Sequence, residues 1–156
     1  MNTLILYATK YGATREIAKA ISDRLGGAAL HDLKQGRTPD LTEFDCIIIG
    51  SSLYAGSIRK EAKAFLSQHA NTLQQKQIGL FLSGMAPADE AKYFAENFPK
   101  DLLQATRAAY FLGGIFDPQK TSGAERFIMK LAAKQSEYAN TIDDEKIEQY
   151  AALMDV

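Results

Sequence analysis

Cysteine is almost missing from this chain. Cys46 is the only one, which excludes an intrachain disulfide and a cysteine-based metal cluster. It sits in the apolar run Asp45-Cys46-Ile47-Ile48-Ile49, the setting of an inert core thiol in a reducing compartment. Histidine is nearly as sparse, and His31, with His69 far away in the chain, reads as a surface residue rather than a ligand or base. A dominant charge is lacking too. The formal net charge is −1 and the isoelectric point about 6.1, which provides no global field to recruit nucleic acid. No apolar run approaches the roughly 18 residues that span a bilayer, and no basic leader precedes the first apolar run. The expectation is a cytoplasmic protein, with peripheral contact at the inner face of the cell membrane as a variant. At 156 residues, 46% of them hydrophobic, a single domain over 1–156 can bury a full core.

What is present is an alternation of apolar runs and amphipathic segments. Leu4 to Ala8 predicts a first strand, and Ile17, Ala18, Ile21 and Leu25 then recur at helical spacing until Gly26-Gly27 stops them. Ala28 to Leu33 predicts a second strand. Asp45 to Gly50 predicts a third, whose unbroken apolar run suits a central strand covered on both faces. Gln77 to Ser83 predicts a fourth, and Ala108 to Phe116 a fifth with a glycine break. Between them, one helix carries Ile58, Ala62, Phe65, Leu66 and His69 on a face, and the next carries Phe94 and Phe98 with Pro87 in its first turn. This alternation implies right-handed crossovers and a doubly wound parallel sheet of five strands. Beyond the sheet, Ser122-Gly123-Ala124-Glu125 has the capping-box pattern and opens a helix with Phe127, Ile128 and Leu131 on one side. A last helix sets Ile147, Tyr150, Ala151 and Met154 against the sheet. On the helix opened by Ser122, Arg126, Lys130 and Lys134 recur at four-residue steps, either as a solvated face or as a docking surface for an anionic partner or lipid headgroups.

Three small-residue loops follow strands one, three and four, at the carboxyl edge where open parallel sheets bind ligands. The first is Thr9-Lys10-Tyr11-Gly12-Ala13-Thr14. It leads straight into a helix, so free N–H groups and the positive end of the helix dipole converge where a phosphate would bind. Thr9 and Thr14 add hydroxyls, Gly12 permits close approach or a positive φ, and Lys10 stands at the rim. The alternative is an ordinary capped turn. Neither G-x-x-x-x-G-K-[ST] nor a first-turn G-x-G-x-x-G is present. The second loop, Ser51 to Ser57, offers Tyr54 to stack on a flat ring. Gly56, and Gly84 in the third loop, let backbone amides approach ring heteroatoms.

The first loop resembles the phosphate-loop signature of the flavodoxin family, [ST]-x-[ST]-G-x-T, with Tyr11 as its one departure. The resemblance extends over essentially the whole chain. It implies a flavodoxin-like α/β three-layer sandwich with strand order 2-1-3-4-5, and FMN as cofactor without a metal. Thr9, Lys10, Tyr11, Gly12, Ala13 and Thr14 would then hold the phosphate. Ser52, Leu53, Tyr54, Ala55 and Gly56 would line one face and edge of the isoalloxazine, and Ser83, Gly84 and Met85 the opposite edge. The response-regulator receiver shares this topology but needs a phosphate-accepting aspartate where this chain has Gly50-Ser51.

Within the superfamily, Thr3 to Tyr7, Ile49 to Leu53 and above all Arg126-Phe127-Ile128-Met129-Lys130-Leu131 are similar to the flavodoxin-type, menaquinone-dependent protoporphyrinogen oxidases of bacteria. The stretch Phe116 to Lys120 lacks the arginine and tyrosine density of those enzymes. That similarity implies an oxidoreductase of heme biosynthesis, taking electrons from a porphyrinogen substrate and delivering them to a quinone. The alternative is a flavodoxin-type electron carrier between redox-partner proteins. Carriers of the family are strongly acidic, whereas this chain is nearly neutral with a cationic late helix, which favours the oxidoreductase. A flavin-free interaction domain is a third reading. No catalytic acid or base can be named from the residues alone.

Overall fold

The structure is a computed structural model that describes residues 1–132 and 137–155. Lys134 of the expected basic stripe lies outside the described residues. The strands are β1 (Thr3–Ala8), β2 (Ala29–Asp32), β3 (Cys46–Tyr54), β4 (Ser57–Ile58), β5 (Gln77–Ser83), β6 (Ala108–Phe111), β7 (Ile115–Phe116) and β8 (Ala139–Asn140). The helices are α1 (Ala13–Arg24), α2 (Lys60–Gln68), α3 (Ala70–Leu73), α4 (Glu90–Asn97), α5 (Lys100–Ala105), α6 (Gly123–Ala132) and α7 (Asp144–Met154). The main sheet runs β2-β1-β3-β5-β6, parallel throughout, with β4 attached antiparallel to the end of β3. This is the expected order 2-1-3-4-5, because β4 is a two-residue addition that the sequence numbering did not count.

Alternation along the strands sorts the core into two layers. Leu4, Leu6, Ile47, Ile49, Ile78, Leu80 and Leu82 face one side, where Ala62, Phe65, Leu66, Leu73, Phe94 and Leu102 from α2 to α5 cover them. Ile5, Tyr7, Cys46, Ile48 and Phe81 face the other side, under Ile17, Ala18 and Ile21 of α1 and Ile147, Tyr150 and Met154 of α7. Each isoleucine or leucine fully withdrawn from water contributes about 1.5–3 kcal/mol, so these two layers carry the fold. Two glycines make room for the second layer. A Cβ on Gly50 would stand 2.0 Å from the Phe81 ring, and one on Gly79 would stand 2.5 Å from the Tyr150 hydroxyl. Burial pushes the Cys46 thiol pKa up, as an inert core cysteine requires.

The structure corrects several boundaries. Strand β3 continues through Ser51, Ser52, Leu53 and Tyr54, which read as a loop in the sequence. Ser51 and Ser52 pair with Leu82 and Ser83 of β5, while Leu53 and Tyr54 turn back on Ile58 and Ser57. Tertiary pairing overrides the turn-like composition of the stretch. Ile58 accordingly belongs to β4, and α2 begins at Lys60. The fifth strand ends at Phe111, and Ile115-Phe116 pairs antiparallel with β8 instead. Gly113, at φ +89, turns the chain out of the sheet between them. Pro87 opens a short 3-10 turn ahead of α4 rather than α4 itself. His31, expected at the surface, is half-buried, and its Nε2 is enclosed without a partner.

Candidate functional site

The loop from β1 to α1 is shaped by two contacts. Thr9 Oγ1 accepts from the Gly12 N–H at 3.0 Å, and Glu16 N–H donates to the Gly12 carbonyl at 3.1 Å. Gly12 sits at the helix N-cap with φ +101, in the left-handed region that favours glycine. The first-turn N–H groups of Ala13, Thr14 and Arg15 have no intrahelical acceptor. A Cβ on Gly12 would meet nothing within 4 Å, so it would obstruct only a guest in that space. Thr14 is fully buried, and its hydroxyl has no partner. Such an orphan costs the fold unless a ligand oxygen accepts from it. The cradle therefore fits a phosphoryl group. Tyr11 at the signature's variant position is exposed, and the Lys10 ammonium stands 5.3 Å from its ring centre.

The second wall is a hairpin rather than an open loop. Ala55 and Gly56 have φ of 50 and 80, the paired left-handed geometry of a tight I′ turn, and Ala55 is the lone non-glycine residue with positive φ among the described residues. Asn97 of α4 fastens this turn: its Oδ1 accepts from Ile58 N–H at 2.9 Å, and its Nδ2 donates to the Gly56 carbonyl at 2.8 Å. Below it, buried Ser51 accepts from the Arg59 N–H at 2.9 Å. Tyr54, Ala55 and Gly56 are thus held at the cavity mouth, with Tyr54 39% exposed.

The third wall joins two segments distant in sequence. Gly84 N–H donates to the Gly113 carbonyl at 3.0 Å, and a Cβ on Gly114 would stand 2.8 Å from the Gly84 carbonyl oxygen. Only glycine allows that approach. From Gly114 the chain makes an excursion that carries α6 over the site and returns through β8. Ile128 and Met129 of α6 line the cavity, whereas Phe127 and Leu131 are 63% and 66% exposed. The capping box holds in part, since Ser122 Oγ accepts from Glu125 N–H at 3.2 Å. The Glu125 carboxylate pairs instead with the Lys10 ammonium across the cavity mouth, and this hydrogen bond raises the Lys10 pKa.

These walls enclose one cavity of about 580 Å³, within the range of small-molecule and cofactor sites. Of the fourteen residues that the sequence singled out, Thr9, Lys10, Tyr11, Gly12, Ala13, Ser52, Leu53, Tyr54, Ala55, Gly56, Ser83, Gly84 and Met85 line it. Thr14 alone is absent from the lining, because its side chain is fully buried. The sequence missed Arg59, Tyr93, Glu125, Ile128 and Met129, which line it as well. Arg59 brings a guanidinium whose Nε is buried and unpartnered. Burial, with the charges of Asp89 and Glu96 second, raises the Tyr93 pKa, so its phenol stays protonated at neutral pH. No group of metal-ligating side chains occurs among the described residues. The cavity can thus receive a phosphorylated, flat, largely apolar ligand, and it offers donors rather than a nucleophile.

This chain is similar to known proteins in sequence and in fold. It is 24% identical over 147 residues to protoporphyrinogen IX dehydrogenase (quinone) of Escherichia coli, an alignment covering 87% of this chain and 81% of that protein. In fold it is similar to a flavodoxin of Streptococcus pneumoniae TIGR4, with a TM-score of 0.66 at 17% identity over 99% of this chain and 97% of that one. Oxidised flavodoxin 2 of Bacillus cereus gives 0.64 at 20% identity over the same shares, 99% and 97%. A Lactobacillus acidophilus flavoprotein solved with FMN gives 0.55 at 18% identity, over 70% of this chain and 92% of that one. The flavodoxin domain model matches residues 4–143. With the parallel sheet, the glycine-capped first loop and a match across nearly the whole chain, the protein belongs to the flavodoxin domain family.

Proposed function

We propose that this chain is an FMN-dependent oxidoreductase that takes electrons from a reduced organic substrate, with a porphyrinogen as the first candidate, and delivers them to a quinone. The observation that carries the reading is the outer wall of the cavity. It is an amphipathic helix whose Ile128 and Met129 face inward while Phe127 and Leu131 stay exposed beside it. An apolar rim suits a hydrophobic quinone better than it suits a carrier's charge-steered encounter. The similarity to the E. coli dehydrogenase supports the same reading.

Bound FMN would supply one- and two-electron chemistry at its ring. The residues of the chain bind, orient and exclude water. The amides of the loop from Thr9 to Thr14, with the Thr14 hydroxyl, would hold the phosphoryl group. Tyr54 and Leu53 would flank the ring, and the backbone at Ala55, Gly56, Ser83, Gly84 and Met85 would meet its edges. Ile128 and Met129 keep the far side dry. No helix among the described residues is long and apolar enough to cross a membrane. Exposed Arg126 and Lys130 beside Phe127 and Leu131 make α6 our candidate for a peripheral contact with anionic lipid.

Two anaerobic assays test the proposal: oxidation of protoporphyrinogen with a menaquinone analogue, and reduction by a flavodoxin reductase. Turnover in the first assay is the expected result. Reduction in the second alone would replace the proposal with the electron-carrier reading.

A further inference from the structure

Glu125 is a carboxylate in an unusual place. A glutamate at the fourth position of a capping box ordinarily reaches back to the N–H at the start of its own helix. This one is only 8% exposed and crosses the cavity mouth to Lys10, 115 residues away in the chain. Lys10 belongs to the same loop whose free amides and orphaned Thr14 hydroxyl form the phosphoryl cradle. One ammonium therefore has two anionic claimants: the carboxylate already on it, and the phosphoryl group that the loop accommodates. Like charges brought together in a partly dehydrated site repel strongly.

We propose that Glu125 sets the phosphate selectivity of the site by acting as an internal competitor for Lys10, so that an entering phosphoryl group loosens α6. The claim rests on the FMN reading above and deepens it. A flavin without phosphate fills the ring slot and leaves the Lys10 and Glu125 pair intact. A flavin with phosphate must either draw Lys10 away or sit beside an ionised carboxylate. Glu125 thereby lowers the advantage that the loop gives to a phosphorylated ligand. It also couples loop occupancy to the helix that carries Ile128 and Met129 into the cavity.

The test is titration of the apoprotein with FMN and with riboflavin, followed by flavin fluorescence, in wild type, Glu125→Gln and Glu125→Asp. Glutamine keeps the size and a hydrogen-bonding group but not the charge. Its FMN affinity is expected to rise about tenfold while riboflavin affinity stays level, and aspartate, which retains the charge, is expected to keep the wild-type ratio. Trypsin supplies a second readout at the exposed Arg126 and Lys130 of α6. Cleavage there is expected to be faster with FMN than with riboflavin in wild type, and equal for the two in Glu125→Gln. An FMN-to-riboflavin ratio that is unchanged or lowered in Glu125→Gln overturns the competitor role and leaves the FMN reading standing. A wild-type protein that binds neither flavin overturns both.

Discussion

The sheet and the excursion after β6 place their apolar residues in opposite ways. In β3, Ile47, Ile48 and Ile49 are completely buried between two layers of helices, whereas in α6 Phe127 and Leu131 are more than half exposed and their neighbours face a cavity. Both stretches are apolar, and only the first is withdrawn from water on both faces. Stability and ligand contact thus sit in separable parts of the chain. The sheet holds the loops in register, and the excursion closes the site while leaving its own greasy side chains uncovered.

The sharpest way to break this division is Gly50→Ala. Its Cβ would fall within 2.4 Å of three Phe81 ring atoms, and the overpacking should cost about 3 kcal/mol in a urea melt. A loss under 1 kcal/mol would show that the sheet has slack. Next is Gly12→Val, whose side chain meets no protein atom but is strained at φ +101 and enters the cradle. It should weaken FMN binding about a hundredfold, or about 2.7 kcal/mol, in a titration of apoprotein.

The buried layer also sets the response to alkali. Burial raises the Tyr150 pKa well above the ordinary tyrosine value of about 10. The unfolded chain therefore loses this proton first, and stability is intact below pH 10 and falls as pH rises above it. From this group alone the slope is at most about 1.4 kcal/mol per pH unit. Tyr150→Phe should be at least as stable as wild type near neutrality, because it removes a buried hydroxyl that has no partner, and should flatten the decline above pH 10 in melts followed by circular dichroism. At the site rim, Ala55→Asn should raise stability by about 1 kcal/mol, since asparagine tolerates the left-handed turn that alanine occupies at φ 50. The smallest effect belongs to the excursion. Phe127→Ala should change global stability by less than about 0.5 kcal/mol, and a larger loss would mean that α6 contributes to the fold.

Much of this architecture was legible because it obeys short periods. The runs Leu4 to Ala8 and Asp45 to Gly50 pointed to strands, and the buried set of α1 came from Ile17, Ala18 and Ile21. The cradle was readable from Gly12 between two threonines. Ser51 to Tyr54 was misread because two serines and a tyrosine carry turn-like composition, and the partners that make them a strand lie in β5 and β4. Asn97 and Glu125 left no local signature. One resembles any helix-end asparagine, the other an ordinary capping-box glutamate, and each acquires its role through a partner tens of residues away. Arg59 follows directly on the hairpin, and recognising that hairpin was the one cue that would have placed it at the cavity.

The excursion leaves and re-enters the sheet through a single neck. Thr141 N–H donates to the Gly114 carbonyl at 2.7 Å, and Asp143 N–H to the Leu112 carbonyl at 3.1 Å, while Gly113 lies too close to Thr141 to accept a side chain. A segment joined to the sheet at one neck can be lengthened, shortened or exchanged at a modest entropic cost, without disturbing the strands beneath. Length or sequence can therefore change between Ile115 and Asn140, and with it what the cavity admits, while the register of the sheet stays as it is.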